Sequence, residues 1–284
     1  MLVEHYPVKF TKENPDIYLT SPWRGKPPKG AKRIHRADGV YFDSLLSGKT
    51  GMNKRISEAI NKSHAVIYQS NHAKLMCQGI LKIRNKNDTI IYNGSDEFPR
   101  DISIDKLGFD KMLVACAKWR PLKRPVSIAK GFLKSGLSDA VLVMIGEIDS
   151  KYKVKHPNIK YVGKISSKDT YKYYASCDGV IHISRMDACP NVVVEALVAG
   201  KPVLGNNVGG TPELIQEDGI IIKIDPAYNY KMFPMKNPDS VGPNRIANGI
   251  HDLLNREWSI NRDDLTIRDS ARRYYEYFRQ VLAC

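Results

Sequence analysis

Residues 186–203 read MDACPNVVVEALVAGKPV, from Met186 to Val203. Within them one carboxylate, Glu195, is surrounded by Val192, Val193, Val194, Ala196, Leu197, Val198 and Ala199. A helix that is apolar on every side is a buried one, and a buried carboxylate is costly unless something pairs with it or donates hydrogen bonds to it. Pro190 suits a first helical turn, where its missing N–H is not needed. Gly200, followed by Lys201 and Pro202, suits a helix end. The spacing therefore predicts a helix over 191–199, directly after the strand-like GVIHIS at 179–184. Its N-terminus then points out of a sheet edge, and the N–H groups near Asn191 and Val192 form an anion site suited to a phosphate. Glu195 lies about one turn further in, where a ribose attached to that phosphate would bring hydroxyls to the carboxylate. The other reading is that Glu195 meets a Lys or Arg from elsewhere in the fold.

Working outward, short apolar runs alternate with helical patterns, which indicates an α/β architecture. Strands are expected at 16–21, 32–37, 65–70 and 89–94, with a helix over MNKRISEAINKS between two of them. The polar stretch 95–110 reads as a linker. The pattern then restarts, with strands at 111–117, 140–146, 159–163, 179–184, 202–206 and 219–224 and helices at 123–136, 166–176, 191–199 and 244–255. The sequence DDLTIRDSARRYYEYFRQVLA reads as a long amphipathic terminal helix. Two βα series predict two Rossmann-like lobes with a cleft between them, and ligands in such sheets sit beyond the carboxyl ends of the strands.

The chain has 284 residues, 42% of them hydrophobic, enough for one large domain or two modest ones. No run of 18 apolar residues marks a membrane span, and the opening MLVEHYPVKFTKENPD has no apolar leader core. Cys77, Cys116, Cys177, Cys189 and Cys284 are odd in number and lack CxxC spacing. They point to a reduced, cytoplasmic protein without a structural zinc site, with peripheral attachment to the inner face of a membrane left open. The formal net charge is +14, with 18 Lys+Arg against 12 Asp+Glu in residues 1–110 and 26 against 18 after them. Such a balance favours anionic partners or serves solubility alone.

Two further clusters stand beside the Glu195 helix. AKWRPLKRP, residues 117–125, places Lys118, Arg120, Lys123 and Arg124 in a strand-to-helix loop. Arg120 and Lys123, three apart, could clamp a diphosphate and stabilise its developing charge; a solvated basic loop is the alternative. In NNVGGTPELI, residues 206–215, Gly209 and Gly210 permit a tight turn or a close ligand approach, the structural turn being the simpler reading. Asp187 by itself reads as an acid at a helix start. No GxGxxG follows a strand, which excludes a dehydrogenase-like dinucleotide site.

The run DACPNVVVEALVAGKPVLGNNVGGTPELI resembles the donor-site signature of retaining GT-B glycosyltransferases of the family 4 type, the glycosyl transferases group 1. That signature has two acids eight positions apart leading into an apolar helix, then GxPV and GGxPE; here the acids are Asp187 and Glu195. WRPLKR resembles the family's diphosphate clamp, and HRADGVYFD with AVIYQS and IIYNG resembles the latter half of its N-terminal lobe. The resemblance covers roughly residues 15–225. It implies an α/β, GT-B-like fold with a reduced N-terminal, acceptor-side lobe (1–103), a nucleotide-sugar-binding lobe (104–262) and a helix crossing back to the first lobe (263–284). It also implies a UDP-, GDP- or ADP-hexose donor, with Asp187, Glu195, Arg120 and Lys123 as the catalytic set. Donor binding would use Arg120, Lys123, Ala188, Cys189, Pro190, Asn191, Val192 and Glu195, with no cofactor and no metal. The first motif acid is Asp where the family usually has Glu. The activity so implied is retaining hexosyl transfer to a glycan or lipid-linked saccharide. A DNA-base glucosyltransferase of phage type, or a nucleotide-sugar-binding accessory subunit or pseudoenzyme, are the alternatives. The charge, with Lys26, Lys29, Lys32, Lys54 and Lys62 in the first lobe, fits an anionic acceptor, a membrane surface or nucleic acid, although no dedicated nucleic-acid-binding motif is present.

Overall fold

The computed structural model describes residues 6–9, 11, 13–21, 27–42, 51–84, 87–97, 102–223, 229–232 and 241–284. Lys26, Asp43 and the end of the strand expected to reach residue 224 lie outside them.

The first unit holds a four-stranded parallel sheet in the order β1 (Ile17–Thr20), β2 (Lys32–Ala37), β3 (Ala65–Tyr68), β4 (Asp88–Ile90). Between β2 and β3 runs α1 (Met52–Asn61), which buries Met52, Ile56, Ala59 and Ile60 at helical spacing. After β3 comes α2 (Asn71–Ile80), whose first turn is capped by the Ser70 hydroxyl accepting from Ala73 N–H at 2.9 Å.

The second unit holds six parallel strands: β5 (Lys111–Cys116), β6 (Ala140–Ile145), β7 (Ile159–Gly163), β8 (Gly179–His182), β9 (Val203–Asn206) and β10 (Gly219–Ile222). All six residues of β6 are buried, as expected of a central parallel strand covered on both faces. Its helices are α3 (Pro125–Lys134), α4 (Ser167–Ser176), α5 (Asn191–Val198), the short α6 (Thr211–Ile215) and α7 (Pro243–Leu254). The strand order is β10-β9-β8-β5-β6-β7. The chain winds outward from β5 through β6 to β7, then returns beside β5 as β8 and winds the other way. The β5/β8 boundary is thus the topological switch point, where connections leave in opposite directions and open a crevice at the strands' carboxyl ends.

The last helix, α8 (Ile267–Ala283), begins at Thr266, whose hydroxyl accepts from Asp269 N–H at 3.2 Å. It places Tyr277, Phe278 and Val281 against Ile34, Ala65, Ile67 and Ile91, so the chain's end completes the core of the first sheet. By contact, the chain divides between Gly94 and Ser95, and residues 264–284 return to the first unit. The resemblance implies a division at 103/104, inside the polar stretch 95–110 that carries no periodic signal. Lys106 pairs with Asp178 at 2.7 Å and Ile104 N–H donates to the Ser176 hydroxyl at 2.8 Å, tying the connection to the second unit.

Two helices were not read from the sequence. α2 carries Gly79 and a mixed polar face, and α6 has five residues, too short for a periodic pattern. The strand and helix positions otherwise agree with the periodicity to within a few residues, since element ends fray.

Candidate functional site

The site residues read from the sequence all lie in the second unit, on the loops that leave β5 and β8 and on α5. β5 ends at Cys116. The loop after it is pinned by Trp119, which is buried and donates from Nε1 to the Ile145 carbonyl at 2.9 Å. Gly146 makes this approach possible: at φ +111°, a Cβ there would stand 1.9 Å from the Ala117 carbonyl oxygen. A single 3₁₀ turn, Pro121–Lys123, then carries Lys123 toward the loop after β8. The two loops are joined where Arg185 N–H donates to the Leu122 carbonyl at 2.9 Å.

Asp187 sits on the second loop and is held from three sides. Lys123 Nζ forms an ion pair with its Oδ2. His182, the last residue of β8, reaches the same Oδ2 from Nε2 at 3.0 Å. The Asp187 carbonyl accepts from Gly210 N–H at 2.7 Å. Burial alone would raise the Asp187 pKa; the His182 hydrogen bond and the nearby Lys123 outweigh it and hold the carboxyl well below the ordinary range. Burial pushes His182 down from the usual histidine value, against the opposing pull of Asp187. At neutral pH the pair is a neutral imidazole donating to a carboxylate.

Glu195 occupies the second half of the site. The helix that carries it is not buried all round. Asn191 is exposed, and Val192, Glu195, Val198 and Ala199 are half-buried, so one stripe of α5 stays open while Val193, Val194, Ala196 and Leu197 fill the core. The α5 N-terminus has no side-chain cap. Among the described residues Glu195 has no ion-pair partner. Its neighbour is the wholly buried Tyr174 of α4. The Tyr174 hydroxyl lies beside the Glu195 carboxylate and the Cys116 thiol, yet makes no hydrogen bond of normal geometry to either. Burial raises the Glu195 pKa, and Tyr174 partly offsets the rise. Cys116 feels both Glu195 and Lys123, and burial pushes its thiol up to about 11.

The remaining expected residues divide by exposure. Arg120 is exposed, and its side chain makes no hydrogen bond or ion pair among the described residues. Cys189 and Pro190 are buried, so they present backbone rather than side chain, while Ala188 is half-buried. Lys118 is exposed and Arg124 is buried with φ +52°. Gly209 and Gly210 make a tight structural turn against the Asp187 backbone, the first of the two roles their sequence allows. Sequence reasoning missed His182 and Tyr174. A histidine ending an apolar strand two residues before a motif loop was a usable signal for the first; nothing marked the second. Among the described residues no three His, Cys, Asp or Glu side chains converge as a metal site.

Among the described residues the arrangement sets exposed Arg120, the Asp187-paired Lys123, an α5 N-terminus without a side-chain cap and the carboxylates of Asp187 and Glu195 along the carboxyl edge at the switch point. Residues 126–230 match the family described as glycosyl transferases group 1. The chain is 26% identical over 216 residues to N-acetyl-alpha-D-glucosaminyl L-malate synthase of Bacillus anthracis, covering 70% of this chain and 55% of that protein. It thus spans about half the length of that curated relative. Among solved structures it is similar to sucrose-phosphate synthase from Thermosynechococcus elongatus, with TM-score 0.62, 14% identity and coverage of 89% of this chain and 68% of that one. It is also similar to Anabaena HepE in complex with UDP-glucose, with TM-score 0.60, 18% identity and coverage of 88% and 71%. At these identities the likeness shows the fold: two parallel α/β units of the GT-B type.

Proposed function

We propose that this chain, a glycosyl transferases group 1 protein in its matched segment 126–230, moves a hexosyl group from a nucleoside-diphosphate sugar to a glycan or lipid-linked saccharide, with retention of configuration and without a metal. The observation that carries the reading is the half-buried Glu195 with no cation beside it among the described residues. A desolvated carboxylate one turn inside an uncapped helix N-terminus needs hydroxyl donors, and a ribose whose phosphate rests on that N-terminus supplies them.

In this reading the diphosphate lies between the α5 N-terminus and the loop bearing Arg120 and Lys123. As the glycosidic bond breaks, charge grows on the leaving diphosphate, and these cations stabilise it more than they stabilise the bound ground state. Asp187 and the backbone from Ala188 to Asn191 face the sugar. A complex of HepE with UDP-glucose supports a nucleotide-sugar ligand, and the basic balance of the chain supports an anionic acceptor or surface.

The test is a panel of UDP-, GDP- and ADP-hexoses screened by thermal shift, followed by assay of sugar transfer or release with and without EDTA. A ligand that binds only the native state raises the melting temperature by mass action. Stabilisation by one sugar nucleotide with EDTA-insensitive turnover is the expected result. Stabilisation without turnover on any glycan acceptor would make the chain a nucleotide-sugar-binding protein rather than a transferase.

A further inference from the structure

We infer that His182 is a positioning residue: its Nε2–H holds Asp187 by Oδ2 and leaves Oδ1 of the same carboxylate for a hydroxyl of the donor sugar. The inference rests on the donor reading above. Both fixed side-chain bonds to the Asp187 carboxylate, from Lys123 and from His182, converge on Oδ2, and no hydrogen bond from a described residue reaches Oδ1.

The two holders differ in kind. Lys123 is a half-buried ammonium on a flexible stem, and a diphosphate bound at the same loop would compete for it. His182 is buried at the end of β8, with its side chain only 4% exposed. It cannot follow a ligand. Its bond to Asp187 therefore persists when Lys123 turns to the diphosphate. A neutral imidazole also fixes the direction of the carboxylate without cancelling its charge, and the charge is what makes Oδ1 a strong acceptor. The Asp187 carbonyl is fixed as well, by Gly210 N–H at 2.7 Å. Backbone and side-chain ties together leave the short Asp187 side chain little freedom. This sets His182 apart from a residue that only fills the core, because the orientation it imposes matters for the sugar and not for the nucleotide.

The experiment compares the wild-type chain with His182→Leu and His182→Gln by calorimetric titration. The ligands are UDP, GDP, ADP and their glucose conjugates, and the pair that the wild type binds is carried forward. His182→Leu should lose about tenfold in affinity for the sugar nucleotide while the plain nucleoside diphosphate stays within about twofold. His182→Gln, which keeps an N–H donor, should recover most of the loss. Equal losses for both ligands, or no loss for the sugar nucleotide, would overturn the role of His182 while leaving the donor reading intact. A wild type that binds no member of the panel would overturn the donor reading, and this inference with it. If the leucine variant does not fold, ¹⁵N NMR of the wild-type imidazole decides. The Nε2–H tautomer at pH 7 is required, and the Nδ1–H tautomer would exclude donation to Asp187.

Discussion

Gly209 lies against the backbone of Asp187 so closely that a Cβ on it would stand 2.5 Å from the Asp187 carbonyl oxygen. With φ at +84°, the position is also in the region that side chains disfavour. Gly209→Ala should therefore lower stability by at least about 2 kcal/mol and displace the Asp187 loop. Chemical denaturation reads the first effect, and loss of sugar-nucleotide binding in the folded fraction reads the second. An alanine variant with wild-type stability would mean that the two loops are not in contact.

Glu195→Gln should leave the melting temperature unchanged or raise it, because a half-buried carboxylate is removed and no described cation is left behind. Donor affinity should fall by about 1.5–3 kcal/mol, one to two powers of ten, from the loss of charge-assisted hydrogen bonds. Melting curves and titration on the same preparation separate the two. A variant that melts far lower yet binds donor normally would return Glu195 to a structural role.

Arg120 and Lys123 should separate in the same way. Arg120→Ala removes an exposed side chain with no described partner and should change stability by less than about 0.5 kcal/mol while lowering kcat. Lys123→Ala removes the partner of Asp187 and should cost about 1–3 kcal/mol in addition to its effect on turnover. Equal melting temperatures for the two variants would show that the Lys123–Asp187 pair contributes nothing to folding.

Acid should destabilise the first unit through two histidines. Burial holds His35 and His72 down to about 4, with the charge of Arg33 adding to the effect at His35. In the unfolded chain both titrate near the ordinary value of about 6.5. Between those values the unfolded state binds more protons, so stability is full above pH 6.5 and falls as the pH drops toward 4. The loss is up to about 3 kcal/mol per histidine. A pH series of denaturation curves should therefore be flat above pH 7 and decline below 6.5, and His72→Phe should reduce the decline.

Salt should act on attachment to an anionic surface more than on donor binding. Residues 151–172 carry seven lysines against a single acid, Asp169, and Lys153, Lys155, Lys160, Lys164 and Lys168 are exposed. Charges of this kind are screened over about 8 Å at physiological ionic strength. Co-sedimentation with anionic vesicles should be strong at low salt and weak at high salt, while sugar-nucleotide affinity changes little. Duplex DNA run in parallel tests the nucleic-acid acceptor: tighter binding to DNA than to vesicles would favour it.

What the sequence determined by itself is local. Strands such as AVLVMI at 140–145 declare themselves because a parallel strand covered on both faces is apolar at every position. The helix Asn191–Val198 is legible from Pro190 and Gly200 at its ends, and the spacing of Asp187 and Glu195 is a fact of the chain. Tertiary structure alone decided the rest. The strand order that puts β8 beside β5 comes from pairings such as Leu113 with Gly179, and no local pattern encodes a partner so far along the chain. That order delivers Lys123, His182 and Asp187 to one oxygen atom and sets Tyr174 beside Glu195. It also exposes one stripe of α5, where the run of valines had pointed to complete burial. Periodicity reports which side of an element faces a core; it does not report what stands opposite. For a carboxylate, what stands opposite determines whether it is a structural ion or a ligand's acceptor.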